Sequence, residues 1–290
     1  MAALAGAADP EVDYGGLDGP AGPDVVIDSR LATPGAVFVA LPGEHVDGHD
    51  FVAAAAANGA VAAICTRDTG APLAHLLVPD ALQGLTGLAT GVIAEAKAAG
   101  LRCVGITGSS GKTSTKDLLG QVLAAHGPTI SPKGSFNNEI GVPLTALRVN
   151  ADTRYLVSEL GARGGGHIAW LCRIVPPDVG VVLNVGHAHL GEFGSVEGIA
   201  QAKGELVEAL SDRGWAVLNA DDPLVAAMAA RTSARLARFS LLGEPAGDLR
   251  VWAQDVHADD LQRHSFTLRA AGAGDVGPVN CAEPVALQGP

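Results

Sequence analysis

The segment Gly105-Ile-Thr-Gly108-Ser-Ser-Gly111-Lys112-Thr113-Ser114 constrains this chain more than any other part of it. An apolar run over 101–107 leads in. A helical pattern over 112–125 leads out, with Leu118, Leu119, Val122 and Leu123 on one face. A strand that stops at clustered glycines and opens a helix has the geometry of a phosphate loop: the glycines let backbone N–H groups turn inward, and the helix N-terminus adds its positive dipole end. Thr107, Gly108, Ser109, Ser110, Gly111, Lys112, Thr113 and Ser114 therefore read as a cradle for a nucleoside triphosphate. Lys112 would neutralise β/γ charge and Thr113 would hold Mg²⁺. The spacing departs from the common G-x-x-x-x-G-K-[ST] form, because Ile106 stands at the first glycine's place and two residues separate Gly108 from Gly111.

Composition fits a folded α/β chain. Hydrophobic residues make up 48% and charged residues 17% of the 290, which excludes a solvated chain too polar to offset its ordering entropy. Aromatics are only 4% while glycines number 38, so the elements must pack closely on small side chains. A net charge of −12 excludes a general binder of nucleic-acid backbones, and any anionic ligand has to be held by local donors. No segment reaches the roughly 18 to 20 uninterrupted apolar residues of a membrane span. The nearest, 51–65, is broken by Asn58 and Gly59. Cys65, Cys103, Cys172 and Cys281 lack C-x-x-C spacing and read as reduced structural thiols. With no basic region ahead of an apolar run, the expectation is a cytoplasmic protein without membrane insertion.

The spacing of apolar runs divides the chain into segments. Residues 1–23 carry Gly, Ala, Asp and Pro without periodicity, which predicts a poorly ordered start. Over 24–99, strand candidates at 25–27, 36–41, 60–66 and 75–78 alternate with helical patterns at 50–57 and 81–99, a small α/β unit. Over 100–290, the strand before the phosphate loop is followed by candidates at 155–158, 179–184 and 215–219 with helical stretches between. That rhythm predicts a mostly parallel sheet. Two stretches near the end, 250–256 and 265–269, suggest antiparallel strands.

Four further places can carry chemistry. Glu159 follows the strand at 155–158, so it projects from the carboxyl edge of a parallel sheet, where open α/β folds place ligands. Taken alone, it reads rather as a solvent-facing glutamate at a strand end. His187 and His189 follow another strand and, if extended, share one side. Lys203 lies on a helix over 195–210, four residues after Ile199 and three before Leu206, and so on the apolar face. An ammonium buried there is costly; it either lowers its pKa or snorkels, and a neutral amine can react with CO₂. Asn219-Ala-Asp221-Asp222-Pro223 reads as an Asx turn opening a helix, with Asn219 a candidate for a base edge.

These strings together resemble the Mur ligases and folylpolyglutamate synthetases, ATP-dependent enzymes that join an amine to a carboxylate. Besides the phosphate loop, the resemblance rests on Asn137-Asn138-Glu139-Ile-Gly-Val-Pro-Leu-Thr145, Ser158-Glu159-Leu-Gly161, Asn184-Val-Gly-His187-Ala-His189-Leu-Gly-Glu-Phe-Gly194-Ser195 and Ala202-Lys203-Gly-Glu205. It implies a small N-terminal α/β UDP-binding domain at 24–99 and a mostly parallel-sheet phosphate-loop ATPase domain over 100–290. It also implies a C-terminal Rossmann-like domain that these residues do not include, so that the chain alone would not turn over. The catalytic group implied is Lys112, Glu159, His189 and Lys203. Two Mg²⁺ would be held by Thr113, Glu159, His189 and Lys203, the last as a CO₂-derived carbamate. Of the two histidines the resemblance selects His189, and it sets Asn219 near the adenine.

In the first unit Asp28-Ser29-Arg30 and the stretch around Asp47-Gly48-His49 resemble the family's UDP-sugar site. Arg30 and loop N–H groups would hold diphosphate, while Ser29 and His49 would bond the sugar or uracil. Asn137 and Asn138 would position substrate or phosphate. The Ser-Glu-Leu-Gly and Ala-His-Leu-x-x-Phe-Gly-Ser forms resemble the branch that adds D-alanyl-D-alanine to UDP-N-acetylmuramoyl-tripeptide through an acyl phosphate. The sister branch, which adds a single third amino acid, has Glu-Val-Ser-Ser-His and Asp-His-Leu-Asp segments that this sequence lacks. The alternatives are a ligase of that sister branch, another amide ligase of the Mur and folylpolyglutamate synthetase superfamily, or a nucleotide-binding module inactive by itself. The expected partners are small-molecule substrates, without nucleic acid, for a monomeric protein.

Overall fold

A computed structural model describes residues 24–186, 190–260, 264–274 and 277–286. The stretch 1–23 and the pair His187 and His189 lie outside the described residues. The chain forms two compact units. Of the described residues, the first comprises 24–102 with Asp117–Ser158 and Arg173–Val175, and the second comprises Cys103–Lys116, Glu159–Cys172 and those from Pro176 onward.

The first unit opens with β1 (Val25–Val26), β2 (Val37–Val39), β3 (Ala62–Cys65) and β4 (Ala74–Leu77), which pair in that order as a parallel sheet. Every residue of β2 and β3 is buried, as continuous apolar runs in parallel sheets should be. The core against them is small: Ala36, Phe38, Ala40, Val52, Ala55, Ala63 and Cys65, with Phe38 the large member. Two helices follow the expected spacing. The short α1 (Val52–Ala57) buries Val52 and Ala55, and α2 (Ala81–Ala98) buries Leu85, Leu88, Ala89 and Ile93. Asp80 caps α2, its carboxylate accepting the Gln83 N–H at 2.8 Å.

Beyond these, β5 (Arg102–Thr107) runs into the glycine loop and α3 (Lys112–Ala124). Here the expected apolar face is corrected. The row Lys116, Leu119 and Leu123 turns inward with Lys116 fully buried, while Leu118 and Val122 stand 66% and 58% exposed. Four apolar residues make a stripe wider than the packed face, and periodicity alone does not fix which row of it faces in.

The elements that follow are β6 (Thr129–Ile130), α4 (Gly141–Ala146), β7 (Tyr155–Glu159), α5 (His167–Ile174), β8 (Val179–Val182) and α6 (Leu190–Phe193). Next come α7 (Val196–Glu208), β9 (Trp215–Asn219), α8 (Pro223–Ala227) and β10 (Arg235–Ser240). The chain then forms β11 (Leu249–Ala258), β12 (His264–Gly274) and β13 (Gly277–Ala286). In the second unit the strand order is β13-β12-β11-β10-β9-β8-β5, parallel from β5 to β11 and antiparallel beyond.

Two glycines explain how closely α7 packs on this sheet. A Cβ on Gly105 of β5 would stand 3.0 Å from the Leu206 side chain, and one on Gly180 of β8 would stand 3.1 Å from it. Leu206 thus seats in the groove that the two bare strand positions leave, and Lys203, one turn earlier, is carried in with it.

Candidate active site

The loop between β5 and α3 is built from inside the second unit. Gly111 has φ +79°, a left-handed conformation that favours glycine. The Lys112 ammonium folds back and donates to the Gly108 carbonyl at 2.7 Å. The segment after β8 holds the loop's other side. Ser109 N–H donates to the Asn184 carbonyl at 3.1 Å and Ser110 N–H to Asn184 Oδ1 at 3.0 Å, while Asn184 Nδ2 donates to the Ser110 carbonyl. The first-turn N–H groups of α3, which have no intrahelical partners, complete a cradle for phosphate oxygens.

At the next strand end, Glu159 is 1% exposed and its Oε2 accepts the Thr113 hydroxyl at 2.9 Å. The strand end itself is fixed, because Leu160 N–H donates to the Ile106 carbonyl and the Thr107 hydroxyl donates to the Leu160 carbonyl at 2.9 Å. Thus a hydroxyl at the helix start and a carboxylate at a strand end converge as hard oxygen donors. Among the described residues no three His, Cys, Asp or Glu side chains cluster for a metal. A Mg²⁺ bound through one carboxylate plus nucleotide phosphates needs no such cluster.

Lys203 is 6% exposed, between Ile199 at 1% and Leu206 at 0%. Burial pushes its ammonium down to about 8, and the positive charge of Lys112 pushes in the same direction. No hydrogen bond or ion pair of its amine occurs among the described residues. The neighbouring Glu205 faces away from this chemistry: its carboxylate accepts the N–H groups of Gly166 and Ala169 (2.9 Å for the latter) and caps α5.

Asn219 closes β9. Its Nδ2 donates to the Leu183 carbonyl at 2.9 Å, and its Oδ1 accepts the Asp221 N–H at 2.9 Å. Asp222 both caps α8 and accepts the Val185 N–H at 2.8 Å, so the Asx turn and the support of the segment before His187 are one structure.

The remaining candidates belong to the first unit. Arg30 lays Nε and Nη2 on Asp28, the latter at 2.6 Å, while its side chain stays 86% exposed. That guanidinium holds the Asp28 carboxyl down at about 2. Ser29 is buried, and its carbonyl accepts the Asn58 amide. His49 is buried as well. Its Nδ1 donates to Asp47 at 2.6 Å and its Nε2 accepts the Thr66 N–H at 2.9 Å, so the ring braces the loop over Gly48 from within. The His49 N–H and ring hydrogen bonds, with Arg67 beside them, hold the Asp47 carboxyl well below the usual carboxylate range. Asn138 caps α4, its Oδ1 accepting the Gly141 N–H at 2.9 Å, and Asn137 beside it is half-buried.

The structure therefore brings Lys112, Thr113, Glu159 and Asn219 to one sheet edge, with Lys203 on α7 near enough to Lys112 for the two positive charges to oppose each other. Sequence reasoning overlooked the supports. Asn184 and Glu205 lie inside strings already singled out, but only their partners reveal what they hold.

The chain matches the Mur ligase middle domain over residues 106–276 and the Mur ligase family catalytic domain over residues 24–83. It is 49% identical over 294 residues to the UDP-N-acetylmuramoyl-tripeptide--D-alanyl-D-alanine ligase of Mycobacterium tuberculosis, covering 91% of this chain and 57% of that protein. It resembles a crystal structure of MurF from Acinetobacter baumannii (TM-score 0.77, 36% identity, 91% of this chain and 55% of that one). It also resembles MurF ligase from Thermotoga maritima in complex with ADP (TM-score 0.72, 33% identity, 89% and 57%). The chain spans little more than half the length of these relatives, all of the branch that the sequence motifs resemble. A family model covering more than half of the chain, on a parallel sheet whose edge carries the phosphate loop and the buried glutamate, assigns this protein to the Mur ligase family.

Proposed function

We propose that this chain provides the substrate-binding and ATP-binding parts of a ligase that joins D-alanyl-D-alanine to UDP-N-acetylmuramoyl-tripeptide in peptidoglycan precursor synthesis. In this reading residues 24–99 bind the UDP-sugar, with Ser29, Arg30 and the Asp47-Gly48-His49 loop nearest it, and residues 100–290 bind ATP. The relatives' names support the substrate, and the Thr113–Glu159 contact, together with a buried Lys203 that feels the charge of Lys112, carries the chemistry.

Lys112 releases the Gly108 carbonyl and lies along the β/γ phosphates, as the loop N–H groups of α3 take the phosphate oxygens. Thr113 and Glu159 present oxygen donors for Mg²⁺, and His189 and the carbamate of Lys203 would serve a second ion. Bound Mg²⁺ supplies charge neutralisation of the transferring phosphoryl group. The γ-phosphoryl group passes to the tripeptide carboxylate and ADP leaves. The dipeptide amine then attacks the acyl carbon, loses a proton, and expels phosphate. Lys203 suits carbamate formation because its buried amine is neutral in a useful fraction near pH 7, and gaining CO₂ turns a buried cation into an anion. Among the described residues Asn219 has one N–H and one lone pair uncommitted, the complement of an adenine edge. Asn137 and Asn138 position substrate or phosphate.

ADP release should require both UDP-N-acetylmuramoyl-tripeptide and D-alanyl-D-alanine, assayed on the chain and on the chain fused to the unmatched portion of the mycobacterial relative. Release with a single diamino acid in place of the dipeptide would overturn the substrate assignment. Tight binding of both substrates by the fusion without ADP release would favour a nucleotide-dependent binding module.

A further inference from the structure

Leu241 and Leu242 stand 70% and 85% exposed just after β10, the largest exposures among the bulky apolar side chains described. Single exposed leucines are ordinary, but two in sequence held rigidly in water are not. The turn that presents them is fixed by one carboxylate. Asp221 accepts the Ser240 hydroxyl and the Leu241 N–H, both at 2.6 Å, and Ser240 Oγ in turn accepts the Leu242 N–H at 3.0 Å. The same Asp221 donates its own N–H to Asn219 Oδ1, so a single residue sets both the amide of Asn219 and the two leucines.

Their place on the sheet names an occupant. β5, β8, β9 and β10 are consecutive parallel neighbours, so the phosphate loop, Asn184, Asn219 and Ser240 all leave the same carboxyl edge. Three strand spacings put the end of β10 about 14 Å from the end of β5. An extended nucleoside triphosphate anchored at Lys112 spans that interval from phosphates to base. A purine needs hydrogen-bonding groups at its edge and apolar cover on its face. Asn219 offers the first. We infer that Leu241 and Leu242 offer the second, forming the apolar wall of the nucleobase pocket and selecting a base-bearing triphosphate over a bare one.

This inference rests on the ATP reading of the site, and the test separates the two. Binding of Mg²⁺–ATP and of Mg²⁺–tripolyphosphate is measured by calorimetry on the parent chain, on Leu241→Ser/Leu242→Ser and on Leu241→Ile/Leu242→Ile, with circular dichroism to verify folding. The serine pair should bind ATP about tenfold more weakly, as expected for apolar cover lost from one ring face. Tripolyphosphate affinity should stay within about twofold, and the isoleucine pair should behave as the parent. Unchanged ATP affinity in the serine pair, or equal loss for both ligands, overturns the inference. So does dimerisation of the parent that the serine pair abolishes without changing ATP affinity. If the parent binds tripolyphosphate as tightly as ATP, the wall is refuted while the phosphate site stands; if it binds neither, the ATP reading itself fails.

Discussion

The Thr113 hydroxyl, at the start of a helix, donates a 2.9 Å hydrogen bond to Glu159, a carboxylate 46 residues further along the chain and 1% exposed. The contact joins the phosphate loop to a neighbouring strand end and keeps a buried carboxylate oriented toward the place where phosphates would lie. Replacing Glu159 with Gln keeps the shape and an acceptor but removes the charge. Magnesium should then add at least about tenfold less to ATP affinity than in the parent, with affinity for metal-free nucleotide nearly unchanged. Calorimetry with and without Mg²⁺ checks this, and equal magnesium enhancement in both proteins would remove Glu159 from the metal site.

Lys203 predicts a pH-dependent stability difference. Its folded-state pKa is about 8 against an ordinary 10.5. Below pH 8 the folded protein bears the cost of a buried ammonium. Between about pH 8 and 10.5 the unfolded chain binds the extra proton, so stability rises with pH through that window. In CO₂-free buffer Lys203→Met should be more stable than the parent at pH 7, by on the order of 1–3 kcal/mol. That advantage should shrink from pH 8 toward 10.5. Urea melts of both proteins across this range test it; a constant difference contradicts the burial cost.

Gly204 is needed for a different reason. The Arg231 guanidinium occupies the space a Cβ there would take, donating to the carbonyls of Ala200 and Gln201 and pairing with Glu208 at 2.9 Å. Gly204→Ala should cost roughly 1–3 kcal/mol. In an Arg231→Ala background the same change should cost little, because alanine favours a helix over glycine. Additive losses in the double-mutant cycle would show that Arg231 is not the obstacle.

The cap that Glu205 forms on α5 gives a local prediction. Glu205→Ala leaves the Gly166 and Ala169 N–H groups without their acceptor and should destabilise the chain by about 1–2 kcal/mol. Glu205→Gln, which keeps one oxygen acceptor, should lose less. Chemical denaturation of the two variants against the parent reads the order.

Much of the framework was legible because it is local. The strands at 102–107, 155–159 and 215–219, the helix over 196–208 and the buried face of Lys203 follow from apolar runs and helical spacing. Two features were not. β10 has the half-polar sequence Arg-Leu-Ala-Arg-Phe-Ser without strict alternation, yet it lies parallel between β9 and β11. β13 contains Pro278 and Pro284, which argue against an inner strand but are tolerated where it lies, at the edge. Likewise the two motif strings that include Ser29 and Arg30, and Asp47 and His49, pointed to ligand contacts, while partners outside those strings, Asn58, Thr66 and Arg67, show what else they hold.

The sequence by itself determined the phosphate loop, the family and the presence of a lysine on an apolar helix face, because each depends on residues adjacent in the chain or one helical turn apart. Only the tertiary structure decided that Thr113 meets Glu159, that Asn184 ties down the loop, and that Asp221 holds Asn219 and two exposed leucines in a fixed relation. Hydrogen bonds between strand ends depend on sheet order. β8 is β5's neighbour although β6 and β7 intervene in the chain, and no local pattern encodes that crossover.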